Sequence, residues 1–285
     1  MASLPSFPGR GSFADLQLGD HLCLPVSSDT ERLCGTVEFT GLGLRRDAKV
    51  IIFSDTETPD ELAAHLPTLL PDAVPALAAG QVQVVPCRDI YLAGGAFDPG
   101  RTLAGFVAQV ELAVAQGYSG LWLAVDVAWS LSGLPDTHTL VAWEAAANAT
   151  IAEHPVTAMC VYDRTRFCPA LLERVYKAHP MTPGQAPLRF ARTLDPPGLL
   201  LSGEVDLTNH DALAALLCPL HTMPGHITID ATGLHFADLR AADLLSGVRA
   251  ARRQCPTTII GSTALNRVLE LAEKTRPAEG RRPHA

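Results

Sequence analysis

Four short runs, residues 49–55, 81–85, 121–126 and 157–163, are apolar almost throughout and end in or near an acidic residue. A strand with one wet face alternates polar and apolar side chains, so runs this uniform suit parallel strands covered on both faces by helices. The stretches between them, from Pro59 onward, over 103–115 and over 140–151, carry helical spacing. Alternating strand and helix predicts a layered α/β sheet with right-handed crossovers. His21-Leu22-Cys23-Leu24-Pro25-Val26 reads as a further strand feeding a helix over 30–44, with Pro25 arguing against a central place in the sheet.

Proline and glycine concentrate in Pro180-Met181-Thr182-Pro183-Gly184-Gln185-Ala186-Pro187, which reads as a linker over 181–186 between two domains. Beyond it, 188–194 and 198–206 read as paired strands around the turn at Asp195-Pro196-Pro197. A helix over 210–217, a strand over 227–230, a helix over 239–252, a strand over 257–261 and a helix over 264–273 follow. About 90 residues suffice for such a small α/β domain. The polar end, 276–285, reads as a flexible tail.

Hydrophobic residues make up 47% of the chain and charged residues 18%, enough apolar area to offset the entropy of ordering it. Lys+Arg 22 against Asp+Glu 30 gives a net charge of −8, which argues against a direct grip on nucleic-acid phosphates. No window reaches the roughly 18 apolar residues of a membrane span. The first residues lack the pattern of a secretion signal. Seven cysteines without a CxxC pair fit a reducing compartment, and the expected location is cytoplasmic.

The phosphate-binding patterns GxxxxGK[ST] and GxGxxG are absent. The loop after the first strand, Ser27-Ser28-Asp29-Thr30-Glu31, offers neither glycines nor lysine to a phosphate. GxSxG, HExxH and zinc-type Cys/His spacings are absent too, so no catalytic set, metal site or cofactor is specified. Ligands of open α/β sheets bind beyond the carboxyl ends of the strands, where Asp55, Asp126 and Asp163 fall, with Trp129 and Tyr162 nearby. His21 and Cys23 alternate along one strand and face the same side. They read either as a ligand pair or as a hydrogen-bonded core histidine beside a core thiol. An enzyme using strand-end carboxylates with His21 or Cys23 as acid, base or nucleophile is the alternative class.

Gly19-Asp20-His21-Leu22-Cys23, Gly41-Leu42-Gly43-Leu44, Asp126-Val127-Ala128-Trp129, Cys160-Val161-Tyr162-Asp163 with Phe167, and His179-Pro180 together resemble the MEDS sensory family over about residues 14–180. The resemblance implies a RecA-like or KaiC-like core without its phosphate loop, sensing small organic molecules such as hydrocarbon derivatives for signalling or transcriptional control. Asp126 departs from the family's Glu-x-x-Trp pattern by a shorter carboxylate. Leu201-Ser202-Gly203-Glu204-Val205-Asp206-Leu207, Ile229-Asp230-Ala231-Thr232-Gly233-Leu234, Phe236-Ala237-Asp238 and Ile260-Gly261-Ser262 resemble the STAS domain of anti-sigma-factor antagonists over 187–275. Signalling members carry Asp-Ser-x-Gly at the strand-to-helix turn, and their Ser is phosphorylated. Here the turn is Asp238-Leu239-Arg240-Ala241, without a hydroxyl, so that phosphoswitch is not expected.

The expectation is therefore a non-enzymatic signalling protein, with a small-molecule-sensing domain joined to a domain that docks on an anti-sigma factor or other regulatory protein through 238–241. A small organic ligand is expected in the first domain. Nucleic acid and membrane are not expected partners, and a homodimer is compatible with the sequence.

Overall fold

The computed structural model describes residues 13, 16–133, 136–183, 185, 187–252 and 254–275. The predicted tail at 276–285 lies outside them, as do Gly184 and Ala186 of the predicted linker. The described elements start with β1 (His21–Val26), α1 (Asp29–Arg45), β2 (Lys49–Ser54), α2 (Pro59–Leu69), α3 (Ala73–Ala78), β3 (Val82–Pro86), α4 (Cys87–Tyr91) and α5 (Pro99–Ala115). It continues with β4 (Leu121–Asp126), a 3-10 turn at Val127–Trp129, α6 (Ser130–Gly133), α7 (Thr137–Glu153), β5 (Val156–Asp163) and α8 (Pro169–Ala178).

The five strands form one parallel sheet in the order β1-β5-β4-β2-β3. β1 pairs with β5 alone in this sheet, so Pro25 sits on an edge strand as its missing donor requires. The uniform apolar runs have two covered faces. On one, Leu24, Val50, Ile52, Trp122 and Val161 share a core with Phe39 and Leu42 of α1 and with Leu62 and Leu66 of α2. On the other, Cys23, Leu123, Val125, Cys160 and Tyr162 share a core with Phe106 of α5, Trp143 of α7 and Val175 of α8.

The C-terminal part contains β6 (Leu188–Leu194), β7 (Pro197–Val205), α9 (His210–Leu217), β8 (Ile227–Ala237), α10 (Leu239–Ala251), β9 (Thr257–Gly261) and α11 (Thr263–Thr275). Its sheet runs β6-β7-β8-β9, with β6 antiparallel to β7 and the other pairs parallel. Leu199 and Leu201 are buried while Leu200 is exposed, and Ile259 is buried while Ile260 is exposed. One face is thus covered by helices and the other is open, unlike the first sheet. β8 extends seven residues past the predicted end at 230, to Ala237, through its pairing with the far half of β7.

At Gly198 a β-carbon would fall 1.7 Å from the Thr228 carbonyl oxygen, its register partner on β8. Gly198→Ala must push β7 and β8 apart and is expected to destabilise the protein by about 1–3 kcal/mol or more. A lowered urea midpoint with faster amide exchange in β8 would register it; an unchanged midpoint would contradict this packing.

The segment joining the two sheets is tied to the first of them. Cys23 N donates to Met181 O (2.9 Å), Leu188 N donates to Pro180 O (3.0 Å), and the Arg189 guanidinium pairs with buried Asp20 (2.9 Å). α9 packs on α7 and α8, and β6 packs on α7. Leu188, Phe190 and Leu213 therefore belong to the same continuous core as Trp143 and Val175. No helix among the described residues is long and apolar enough to cross a membrane.

Candidate functional site

α7 starts at an Asp136 cap, whose carboxylate accepts from Thr139 N (2.8 Å), and is apolar over most of its surface. Its buried positions are Leu140, Trp143, Glu144, Asn148 and Ile151. Glu144 and Asn148, four residues apart, therefore share the stripe that faces the sheet. Opposite them, the β1/β5 register sets Cys23 beside Cys160, so His21, Cys23, Cys160 and Tyr162 point to the same side. His179 enters from the C-terminal end of α8.

These residues converge on the Glu144 carboxylate, which is 1% exposed. Its Oε1 accepts from the Tyr162 hydroxyl. Its Oε2 lies 3.5 Å from Cys160 Sγ, 3.6 Å from His21 Nε2 and 3.4 Å from His179 Nε2. Cys160 Sγ is 3.5 Å from His21 Nε2. The outer edges of both imidazoles are held by oxygen acceptors. His21 Nδ1 lies 2.8 Å from Asn148 Oδ1, whose amide nitrogen donates to Ala178 O (2.8 Å), and His179 Nδ1 lies 2.7 Å from Val175 O. Each Nδ1 thereby carries a proton, and each Nε2 faces the centre.

Burial would raise the Glu144 carboxyl, but His179 and then His21 outweigh it and hold the group well below the usual carboxylate range. Burial, followed by the neighbouring His179, lowers His21 and keeps it uncharged at neutral pH. Burial pushes the Cys23 and Cys160 thiols and the Tyr162 phenol up, with Glu144 adding to each shift, so they remain protonated donors around an ionised carboxylate.

A cavity of about 40 Å³ opens on this cluster. Its polar end is His21, Glu144 and Cys160, and its apolar walls include Tyr91, Phe106 and Trp143. At roughly 10–15 Å³ per water-sized sphere it has room for about three such spheres. Trp129, 2% exposed, stacks on Tyr91 with ring centroids 4.1 Å apart, so it backs the cavity wall from outside.

The strand-end carboxylates lie apart from the cluster. Asp126 accepts from Ala128 N (3.1 Å) and Thr56 N (3.0 Å), closing the 3-10 turn and tying β4 to the loop after β2. It also lines an open groove of about 650 Å³ with Arg32, Ser54, Glu61 and His65. Asp55 is exposed and lines an adjoining hollow of about 370 Å³ with Arg88. Partial desolvation and the Asp126 carboxylate hold its carboxyl above the usual range, against Arg166 and Arg88. The expected ligand residues thus divide: His21, Cys23 and Tyr162 gather near Glu144, Asp55 and Asp126 sit at the carboxyl ends, and Trp129 stands between. Glu144, Asn148, Cys160 and His179 escaped the sequence reading as site residues. A signal for two of them was present, because Glu144 and Asn148 are in phase with Leu140 and Ile151.

In the C-terminal part, Asp238 caps α10 by accepting from Ala241 N (2.8 Å) and lies 2.9 Å from His210 Nε2. Ala241 is buried, whereas Arg240 is exposed and reaches Asp243 (3.0 Å). Leu239, Phe236 and Leu207 are exposed around this corner, since Phe236 adjoins Ala237, which pairs with Val205 two residues before Leu207.

Residues 20–180 match the family described as MEDS, the methanogen/methylotroph, DcmR sensory domain. No curated protein matches the chain. Among solved structures, the uncharacterized protein PH0321 from Pyrococcus horikoshii, crystallised in complex with an unknown peptide, is 11% identical over 68% of this chain and 86% of that one, with a TM-score of 0.46. The flagellar accessory protein FlaH from Methanocaldococcus jannaschii is 13% identical over 68% of this chain and 81% of that one, with a TM-score of 0.41.

Proposed function

Because this chain belongs to the MEDS family through residues 20–180, we propose that it is a non-enzymatic cytoplasmic signalling protein in which a small organic molecule alters how its C-terminal part docks on a regulatory protein. The observation that carries this reading is the double use of α7. Its inner stripe supplies Glu144 and Asn148 to the cavity cluster, and α9 and β6 pack on the same helix. A ligand that shifts α7 therefore has a packed route to the second sheet, provided it binds the two arrangements with different affinity.

The five-stranded parallel sheet with acidic Asp29 and Glu31 at the start of α1 supports a RecA-like or KaiC-like core without phosphate binding. The mixed four-stranded sheet, with α10 capped at Asp238, supports the STAS-like assignment of 187–275. The docking surface we assign is Leu239 and Arg240, framed by Asp238, Phe236 and Leu207, with Ala241 buried beneath them, and its partner is an anti-sigma factor or another regulator. Docking there is independent of phosphorylation, because the turn has no hydroxyl.

Two measurements on the full chain test this. In a pull-down from a lysate of the source organism, the native protein is expected to retain a regulator of this kind and Arg240→Glu to lose it; equal recovery by both would remove the turn from the interface. In a thermal-shift panel of one- to four-carbon alcohols, amines and haloalkanes, a binder at a hundredfold excess over Kd is expected to stabilise the protein by about 2.7 kcal/mol without being consumed. Turnover of that compound, lost in Asp126→Asn or Cys23→Ala, would favour an enzyme instead.

A further inference from the structure

We propose that His21, Glu144, Cys160 and His179 form a closed, four-ligand binding site for one divalent transition-metal ion of the zinc class. The assignment rests on donor geometry and stands whether or not the adjoining cavity takes an organic molecule.

The inward-facing atoms are His21 Nε2, Glu144 Oε2, Cys160 Sγ and His179 Nε2, all within 4.8 Å of one another and all buried. Four of the separations between them are 3.4, 3.5, 3.5 and 3.6 Å. The two between nitrogen and oxygen exceed the ~2.7–3.2 Å of a normal N–H···O hydrogen bond. All four match the edges of a coordination tetrahedron, and the remaining two separations lie within 4.8 Å. Bonds of about 2.0–2.3 Å to nitrogen, oxygen and sulfur place neighbouring ligands roughly 3.3–3.8 Å apart.

The second observation is His179 Nε2, fully buried and without a hydrogen-bond partner among the described residues, although it is aimed at this centre. A buried polar atom left unsatisfied costs about 1–3 kcal/mol, so an orphan in a cluster of ligand-type groups points to an absent occupant. The outer shell has the form that metal-bound histidines require. Asn148 Oδ1 and the Val175 carbonyl hold the two Nδ1 atoms, which fixes the tautomers and turns the Nε2 lone pairs inward.

Charge and softness define the ion. One carboxylate, one thiolate and two neutral imidazoles sum to −2, so a divalent cation leaves a neutral centre in a buried site. Binding forms four bonds to the ion and expels the Cys160 thiol proton to solvent, without a redox step. A mixed sulfur, nitrogen and oxygen set suits zinc or cobalt and disfavours magnesium and calcium, which take oxygen ligands. Four protein ligands leave no open position, which marks a structural ion. It would clamp β1, β5 and α7 to the end of α8, with α7 and α8 being the helices against which α9 packs.

The test is Co²⁺ titration of the full-length protein after chelator treatment, read by absorption spectroscopy and by metal analysis. The expected result is about one ion per chain, with the intense visible bands of four-coordinate Co²⁺ and a thiolate charge-transfer band in the near ultraviolet. Cys160→Ser should lose the charge-transfer band, whereas Cys218→Ser, at an exposed thiol, should keep it. Where Cys160→Ser does not fold, His179→Gln, which replaces the orphaned nitrogen, should weaken Co²⁺ binding at least tenfold. Uptake well below one equivalent, a six-coordinate spectrum, or a charge-transfer band that survives Cys160→Ser would overturn the site and leave a buried proton-sharing network in its place.

Discussion

Glu144→Gln, measured on chelator-treated protein so that no metal contributes, is expected to destabilise the fold by about 3–5 kcal/mol. The Tyr162 hydroxyl and the Cys160 thiol both lose a charged acceptor, and hydrogen bonds to charged groups contribute about 1.5–3 kcal/mol each. The substitution keeps the shape of the side chain but takes away the charge that Tyr162, Cys160, His21 and His179 all face. At about 2.1 cal/mol/K of unfolding entropy per residue, a chain of 285 residues shifts by roughly 1.7 °C per kcal/mol, so the melting temperature should fall by at least about 5 °C. Tyr162→Phe removes one hydrogen bond to the carboxylate and is expected to cost less, about 1.5–3 kcal/mol. Glu173→Ala is the control. Glu173 pairs with Lys177 at the surface, and its loss should cost no more than about 1 kcal/mol. Denaturant midpoints at constant slope decide the comparison. If Glu144→Gln proved as mild as Glu173→Ala, the carboxylate would not organise the cluster.

The second large effect is expected at Arg252, just beyond the end of α10 and 5% exposed. Its guanidinium donates to the Leu220 (2.9 Å), Met223 and Gly225 (2.6 Å) carbonyls and to Thr257 Oγ1 (3.0 Å). One side chain thus pins the loop before β8 and the first residue of β9 to the end of α10. Arg252→Met retains much of the apolar bulk and deletes all of these donors, with an expected cost of about 3–5 kcal/mol. Arg252→Lys keeps the charge without the planar fork and should recover only part of that. Arg249→Ala, which breaks an exposed pair with Glu273, should stay within about 1 kcal/mol. If Arg252→Met were no worse than Arg249→Ala, the loop would be held by packing instead.

The difference between these two arginines is invisible in the sequence, where Arg249, Arg252 and Arg253 form a single basic cluster near a helix end. Which one is swallowed depends on where the loop at 220–225 folds back, a contact about thirty residues away. Glu144 poses the same problem. In sequence it follows Trp143 in an alanine-rich helix and could face solvent; its burial is set by the side of α7 that meets β1 and β5. His21 could be read as a core histidine or a ligand. Its side-chain partner, Asn148, is 127 residues distant, so no local spacing announces it.

The strands fared differently because a run buried on both faces leaves a local signature. The runs at 49–55, 81–85, 121–126 and 157–163 each became a strand of the parallel sheet, and the proline in His21–Val26 marked the edge. By itself the sequence thus determined the α/β layering, the parallel first sheet, the missing phosphate-loop motif and the edge place of the strand with Pro25, since each is written in the period or in the residue types of a short segment. The tertiary structure alone decided which polar groups lose contact with water. Burial of Glu144 among two imidazoles, a thiol and a phenol needs four elements to meet, and desolvation at that meeting point sets the chemistry of the cluster.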